Sequence, residues 1–203
     1  MNERKIGAYT VISSLNVGEK EIILAVNEQN TDGEKYSCGY VERDDLFERY
    51  YECMVSDDYI EISHIFGCCI ANETDLFREQ VEKLDIPITV ITESDCIPDH
   101  YSKDINGKII AIDPNVLKPE YRRADRQLYL VTGGFGASAN CRGSAVFCTN
   151  LHTGKTTRYE RMNVIGEVKP ECMPEWAKQK VKDFIYSKPY KDKELYGGHE
   201  NER

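Results

Sequence analysis

No apolar run in this chain is longer than a β-strand. The most apolar stretches, Glu21 to Val26 and Ile109 to Ile112, are strand-sized, far short of the roughly 18 residues that a membrane-crossing helix needs. A chain built this way must bury short strands and one-sided helices against each other. At 203 residues it is long enough to do so as one large domain or two small ones. Hydrophobic residues at 40% and charged residues at 30% belong to a globular rather than a disordered chain. The opening MNERKIGAYT lacks the apolar core and small-residue cleavage site of a signal peptide, so a cytoplasmic location is expected. Eight cysteines at irregular spacing, with no Cys-x-x-Cys pair, are then expected as reduced thiols that act mainly as small apolar fillers.

The strand-sized runs come in two groups. Ala8 to Leu15, Lys20 to Val26 and Lys35 to Glu42 read as strands of an antiparallel meander, punctuated by Asn16–Glu19 and by the Asp32-Gly33 turn signal. Asp44 is expected to open a helix over Asp45 to Cys53, with its acidic residues in the first turn. A second helix is expected to start at Ser56-Asp57-Asp58. Ile62, Ile65, Phe66, Cys69 and Ile70 then fall at three- and four-residue spacing, and the pattern runs on to Asp85 before Pro87. Residues 87–106, rich in turn formers, read as a connector. Beyond it, Lys108 to Asp113, Gln127 to Thr132, Ser144 to Leu151 and Thr156 to Arg161 read as strands. Pro114 to Arg126 reads as a loop, and Pro174 suits the first turn of a last helix.

The predicted class is therefore α+β. An N-terminal antiparallel meander plus helices (residues 1–90) precedes a small curved antiparallel sheet or partial barrel with a terminal helix (91–188) and a polar tail (189–203).

Charge divides along the same line. Residues 1–100 carry 22 acidic and 8 basic side chains, a net of −14, and residues 101–203 carry 13 acidic and 18 basic, a net of +5. The densest acidic stretch, Glu28 to Glu61, holds eleven carboxylates against Lys35, Arg43 and Arg49. Glu42, Asp44, Asp45, Glu48, Asp57, Asp58 and Glu61 are the candidates for a partner-binding acidic face; a merely solvated polar surface is the plainer alternative. In the second half Arg122, Arg123, Arg126, Arg142 and Arg158, with Lys118, Lys155 and Arg161, are the candidates for one positive surface. Tyr121, Tyr129 and Tyr159 are interleaved with them, as in nucleic-acid binders. An internal ion-pair network with the acidic half is the competing reading.

The most unusual segment is Gly133-Gly134-Phe135-Gly136-Ala137-Ser138-Ala139-Asn140-Cys141-Arg142-Gly143. It contains Gly-x-Gly-x-x-Ala, but a dinucleotide site needs a helix directly after the glycines, and here a strand follows. What remains is a hairpin whose glycines Gly133, Gly134, Gly136 and Gly143 meet backbone demands, or a binding loop that offers amides, Ser138, Asn140 and Arg142 to a phosphate or a partner. Cys96, Asp99 and His100 form the best metal-like cluster, yet with a single thiolate. No Gly-x-Ser-x-Gly, paired catalytic carboxylates or His-Glu-x-x-His occurs, so the sequence points away from an enzyme and calls for no cofactor and no metal.

The run DRQLYLVTGGFGASANCRGSAVFCTNLHTGKTTRYER, followed by GEVKPECMPEWA, resembles an uncharacterised family carried on integrative conjugative elements and related mobile DNA of gut-dwelling, low-GC Gram-positive bacteria. AYTVISSLNVGEKEIILAVNE, RDDLFERYYECMVSDDYIE and DHYSKDINGKIIAID are similar to it as well, so the likeness spans most of residues 7–180. It brings no catalytic residues. It implies an accessory protein of a mobile element, of the kind that counters host defence as antirestriction and anti-CRISPR proteins do. The expectation is a non-enzymatic binder and inhibitor of a host nuclease, Cas9-type or restriction-type, acting through charged surfaces. The alternatives are a nucleic-acid-binding accessory factor that uses the basic sheet, and a small metal protein or enzyme centred on Cys96, Asp99 and His100.

Overall fold

The computed structural model describes residues 4–31, 33–43 and 47–186, with side chains to residue 183. Asp32, Asp44, Asp45 and the tail 189–203 lie outside the described residues. The chain divides into two compact units, residues 1–86 and 87–203. The α+β expectation holds, since each unit lays a helix on an antiparallel sheet.

In the first unit β1 (Lys5–Ile6), β2 (Tyr9–Val17), β3 (Lys20–Val26), β4 (Tyr36–Arg43) and β5 (Glu48–Ser56) form a meander in sequence order, curled into half a barrel. β3 reads as a continuous apolar run because both of its faces are buried. Ile22 and Leu24, with Cys38 and Tyr40 of β4, meet Ile62 and Cys69 of α1 (Tyr59–Glu82). Ile23, Ala25 and Val41 are buried on the opposite face. Each buried isoleucine, leucine or valine among them contributes roughly 1.5–3 kcal/mol when fully removed from water. α1 begins where its sequence signal places it: the Asp58 carboxylate accepts hydrogen bonds from the Ile60 and Glu61 amides at 2.7 and 3.3 Å, which satisfies two otherwise orphaned donors. It ends at the Lys83 cap, two residues before Asp85 turns left-handed at φ +50°.

The helix expected over Asp45 to Cys53 does not form; residues 48–56 are strand β5. Pairing with β4 decides the matter. Tyr51 lies opposite Tyr40 with the rings stacked 5.6 Å apart, and Tyr50 lies opposite Val41. Cross-strand aromatic pairs of this kind stabilise a sheet and outweigh the helix-start signal of the acidic residues that precede the strand in the sequence.

In the second unit β6 (Cys96–Pro98), β7 (Ile109–Ile112), β8 (Leu128–Gly133), β9 (Ala145–Asn150), β10 (Thr156–Glu160) and β11 (Val164–Val168) form one antiparallel sheet in the order β10-β9-β8-β7-β11-β6. Period-2 alternation sorts its residues between two cores. Ile110, Ile112, Tyr129, Val131, Val146 and Cys148 pack with Ile105 and Ala137, which come from two loops. On the other face Ala111, Leu128, Leu151 and Val168 pack with Trp176 and Ala177 of α3 (Glu175–Tyr186). The expected connector 87–106 is thus partly built into the sheet as β6. The loop 114–126 is made of two 3-10 turns and the four-residue helix α2 (Ala124–Gln127). No described helix is long and apolar enough to cross a membrane.

Cys38, Cys69, Cys96 and Cys148 are buried in these cores. Burial pushes the thiols of Cys38 and Cys148 up to about 12 and that of Cys96 up to about 11, so they stay protonated and serve as filling.

Candidate functional site

The Gly-rich segment links β8 to β9 and folds back over the sheet. Gly136 N–H donates to the Ala145 carbonyl at 2.7 Å, Ala137 N–H to the Gly134 carbonyl at 3.0 Å, and Asn140 N–H to the Tyr101 carbonyl at 2.8 Å. Two glycines are dictated by this path. Gly134 sits at φ +108°, and a Cβ on Gly136 would collide with the Ser144 carbonyl. Gly134 and Gly136 are therefore used for close backbone approach, as the structural reading of the sequence has it.

Arg161 holds the loop in place. It is wholly buried, and all five of its N–H donors are matched. Nε and Nη2 form a fork with Asp99, each at 2.6 Å. Nη1 donates to the Gly136 carbonyl at 2.6 Å and to the Ala137 carbonyl at 3.2 Å, and Nη2 also reaches the Lys103 carbonyl at 3.0 Å. The Tyr101 ring lies 5.6 Å from the guanidinium. The expectation that Arg161 adds to a positive surface gives way: its charge is cancelled inside the fold.

Around this buried fork three apolar side chains stand out into solvent. Phe135, next to Gly136, is 85% exposed; Met162, next to Arg161, is 77% exposed; Tyr101 is 51% exposed. Tyr101 and Met162 line one cavity of about 410 Å³ together with Pro98 and Ile165. Asn140, left-handed at φ +50°, and Arg142 are exposed on the same loop, and Arg142 makes no ion pair among the described residues.

The charged candidates fare differently. Five of the seven carboxylates are described, and they fall at opposite ends of β5. Glu42 and Glu48 are at its start and Asp57, Asp58 and Glu61 just past its end, roughly 26 Å apart at about 3.3 Å per strand residue. All five are engaged. Glu42 accepts from the Tyr51 hydroxyl at 3.2 Å, and Glu48 pairs with Arg43 at 2.6 Å and accepts from Tyr50. Asp57 accepts from the Lys35 amide at 3.1 Å, Asp58 caps α1, and Glu61 accepts from Ser56 at 2.6 Å. Among the basic candidates Arg123 is buried in a fork with Asp125 at 3.1 and 3.2 Å, which withdraws it from any phosphate. Arg126 lies over the Tyr121 ring at 4.8 Å and 3.6 Å from Asp125, Arg158 pairs with Glu160, and Arg122 donates to the Leu117 carbonyl at 3.3 Å. Tyr129 and Tyr159 bond to each other at 3.0 Å rather than presenting open ring faces.

Cys96, Asp99 and His100 do not converge. The Cys96 thiol is in the core against α3, Asp99 is held by Arg161, and His100 is exposed. Among the described residues no three metal-binding side chains come together.

Sequence reasoning singled out the loop but missed Phe135, Tyr101 and Met162. Phe135 carried a readable signal, a lone aromatic between glycines. Met162 and Tyr101 carried none, because long-range bonds bring their segments to the loop: the Arg161–Asp99 fork, the Asn140 amide on the Tyr101 carbonyl and the Arg161 amide on the Ser144 carbonyl. Comparison with protein-family models, with curated proteins and with solved structures finds no match to this chain.

Proposed function

We propose that this chain is a binding protein whose second unit engages a protein partner through the loop that carries Phe135. The family likeness supplies the class of partner, a host defence nuclease. One observation carries the reading: Phe135, Met162 and Tyr101 stand exposed around a fully buried Arg161 whose donors are all satisfied. Apolar anchors on a backbone tied down by these hydrogen bonds lose less entropy on binding than anchors on a free loop, and such residues dominate interface energetics. Arg142 and Asn140 supply a polar rim. The acidic residues, divided between the ends of β5 and internally engaged, favour an apolar-centred interface over a charge-guided one.

The test is DNA cleavage by a purified, guide-loaded Cas9-type nuclease, titrated with the full chain. Inhibition by the wild type, weakened about 30-fold or more in Phe135→Ala as expected for a hot spot of about 2 kcal/mol, supports the reading. Equal inhibition by Phe135→Ala removes the loop from it, and no inhibition at all removes this class of partner. Raising the salt concentration should change an apolar-centred affinity little, whereas a charge-guided complex weakens steeply.

A second reading draws on the same loop. Exposed Phe135 and Tyr101 beside Arg142 offer ring faces and a cation to an unpaired nucleic-acid strand. A shifted single-stranded oligonucleotide at low salt, lost in Arg142→Ala, would favour it.

A further inference from the structure

We propose that His64 and Cys68, on the solvent face of α1, form a two-ligand chelate for a borderline or soft metal ion of the Zn²⁺ type, with the remaining coordination positions open. The two residues are one helical turn apart, so their Cβ atoms stack on one face, and the Cys68 side chain leans back toward His64. The Cys68 Sγ lies 3.6 Å from His64 Nε2. A tetrahedral ion at its usual bond lengths to thiolate sulfur and imidazole nitrogen requires these two atoms to be about 3.5 Å apart, so the donors already stand at the spacing that a bound ion would impose. Neither side chain has another hydrogen-bond partner among the described residues.

The surroundings suit an ion with solvent ligands. Both donors are exposed. Between them Gly67 carries no side chain, and a Cβ there would meet nothing within 4 Å. Ala71, a turn further on, is also exposed. The backbone beneath is fixed, because the opposite face of α1 packs Ile62, Ile65, Phe66 and Cys69 against the sheet. A chelate on a fixed helix needs no folding to assemble. Thiolate plus imidazole selects Zn²⁺, Co²⁺ or Cu⁺ over Mg²⁺ or Ca²⁺. On binding, the Cys68 thiol gives its proton to solvent and the sulfur lone pair goes to the metal. The buried thiols do not compete, since Cys38 and Cys69 are packed in the core.

The experiment uses the full chain, reduced and stripped of metal, titrated with Co²⁺ alone and then with Zn²⁺. The expected result is a near-ultraviolet thiolate-to-cobalt charge-transfer band, bleached by Zn²⁺. It should saturate at one ion per chain, or at one per two chains if a second copy fills the open positions. Cys68→Ser should abolish the band, and His64→Gln should weaken binding at least about tenfold. Cys53→Ser, which removes the other exposed thiol of this unit, should leave both unchanged. Circular dichroism confirms that the variants fold. Absence of the band in the wild type, or its persistence in Cys68→Ser, or its loss in Cys53→Ser, overturns the proposal.

Discussion

Replacing Arg161 with methionine keeps the apolar stem of the side chain and removes five N–H donors at once. The structure allows the loss to be itemised. Asp99, whose side chain is only 7% exposed, loses both halves of its fork. The Gly136 and Lys103 carbonyls lose the partner that Arg161 supplies, whereas the Ala137 carbonyl keeps the Ile105 amide at 2.9 Å. Stranding a buried carboxylate costs about 3–5 kcal/mol, and each orphaned carbonyl adds about 1–3 kcal/mol unless water reaches it. These losses overlap, so about 4 kcal/mol is the working figure. That is a large share of the roughly 5–15 kcal/mol that holds a domain together. At about 4–8 °C per kcal/mol the melting point should fall by about 20 °C. The chain has a single tryptophan, Trp176, packed on His152 inside the second unit, so tryptophan fluorescence in urea reports that unit alone. The double variant Arg161→Met/Asp99→Leu should recover part of the loss, because its main cause is the unpaired carboxylate rather than the missing arginine. Trypsin should cut Arg161→Met faster than wild type after Arg142 and Lys103. If Arg161→Met unfolds within about 1 kcal/mol of wild type, or if the double variant is no more stable than the single, the fork does not hold the loop and the reasoning fails.

Two glycines should respond in opposite directions to alanine. Gly67→Ala should stabilise the first unit by about 1 kcal/mol, since a helical glycine with open space above it only forfeits helix propensity; a loss of stability by thermal circular dichroism would contradict this. Gly136→Ala should destabilise the second unit by about 2 kcal/mol or more, because its Cβ meets the Ser144 backbone, which cannot yield as a side chain can; an unchanged tryptophan-detected midpoint would contradict it. The Glu21 carboxyl is pushed up by burial, but hydrogen bonds from Arg4 and Ser14 and the charges of Arg4 and Arg43 outweigh that and hold it below its ordinary value. A depressed folded value means stability that is present above the unfolded pKa of about 4.3 and is lost as pH falls through the folded one. Glu21→Gln should therefore flatten the acid limb of the first unit's stability profile, read by circular dichroism; an acid limb as steep as in wild type would count against the Arg4–Glu21 bond at 2.6 Å.

Local signals were enough for much of the fold. β3 spans Lys20–Val26 as its apolar run predicts, and α1 starts one residue after the Asp58 cap. Both patterns act within a few residues of chain, where propensity and capping operate. The failures are strands whose evidence lies in a distant partner. β5 follows Asp44 and Asp45, good helix starters, and only β4 makes it a strand. β6 is three residues long and ends on Pro98, while β11 contains Gly166, so neither shows the pattern of an isolated strand. They exist because β11 pairs with β7 on one side and with β6 on the other.

The site was half legible for the same reason. Composition marked residues 133–143 as unusual, and Gly134 and Gly136 among them are in close backbone contact. Charge counting along the chain could not foresee that Arg161 and Asp99, 62 residues apart, cancel each other, whereas Asp125, two residues from Arg123, is an acidic neighbour visible in the sequence that the fold turns into a fork. Both arginines were counted as positive surface, and both are buried. A linear tally treats every ionised group as exposed, whereas folding spends the most strongly bonded ones on internal forks. On the proposed reading, a partner meets the groups that the forks position, with Arg142 at their rim, rather than a charged face. Arg161 fixes the segments that carry Phe135, Tyr101 and Met162, so in the proposed complex the buried cation would act through the apolar groups around it. This orders the two kinds of variant. Phe135→Ala should weaken recognition about 30-fold or more and spare stability, whereas Arg161→Met should damage both, since the platform is lost with the fork.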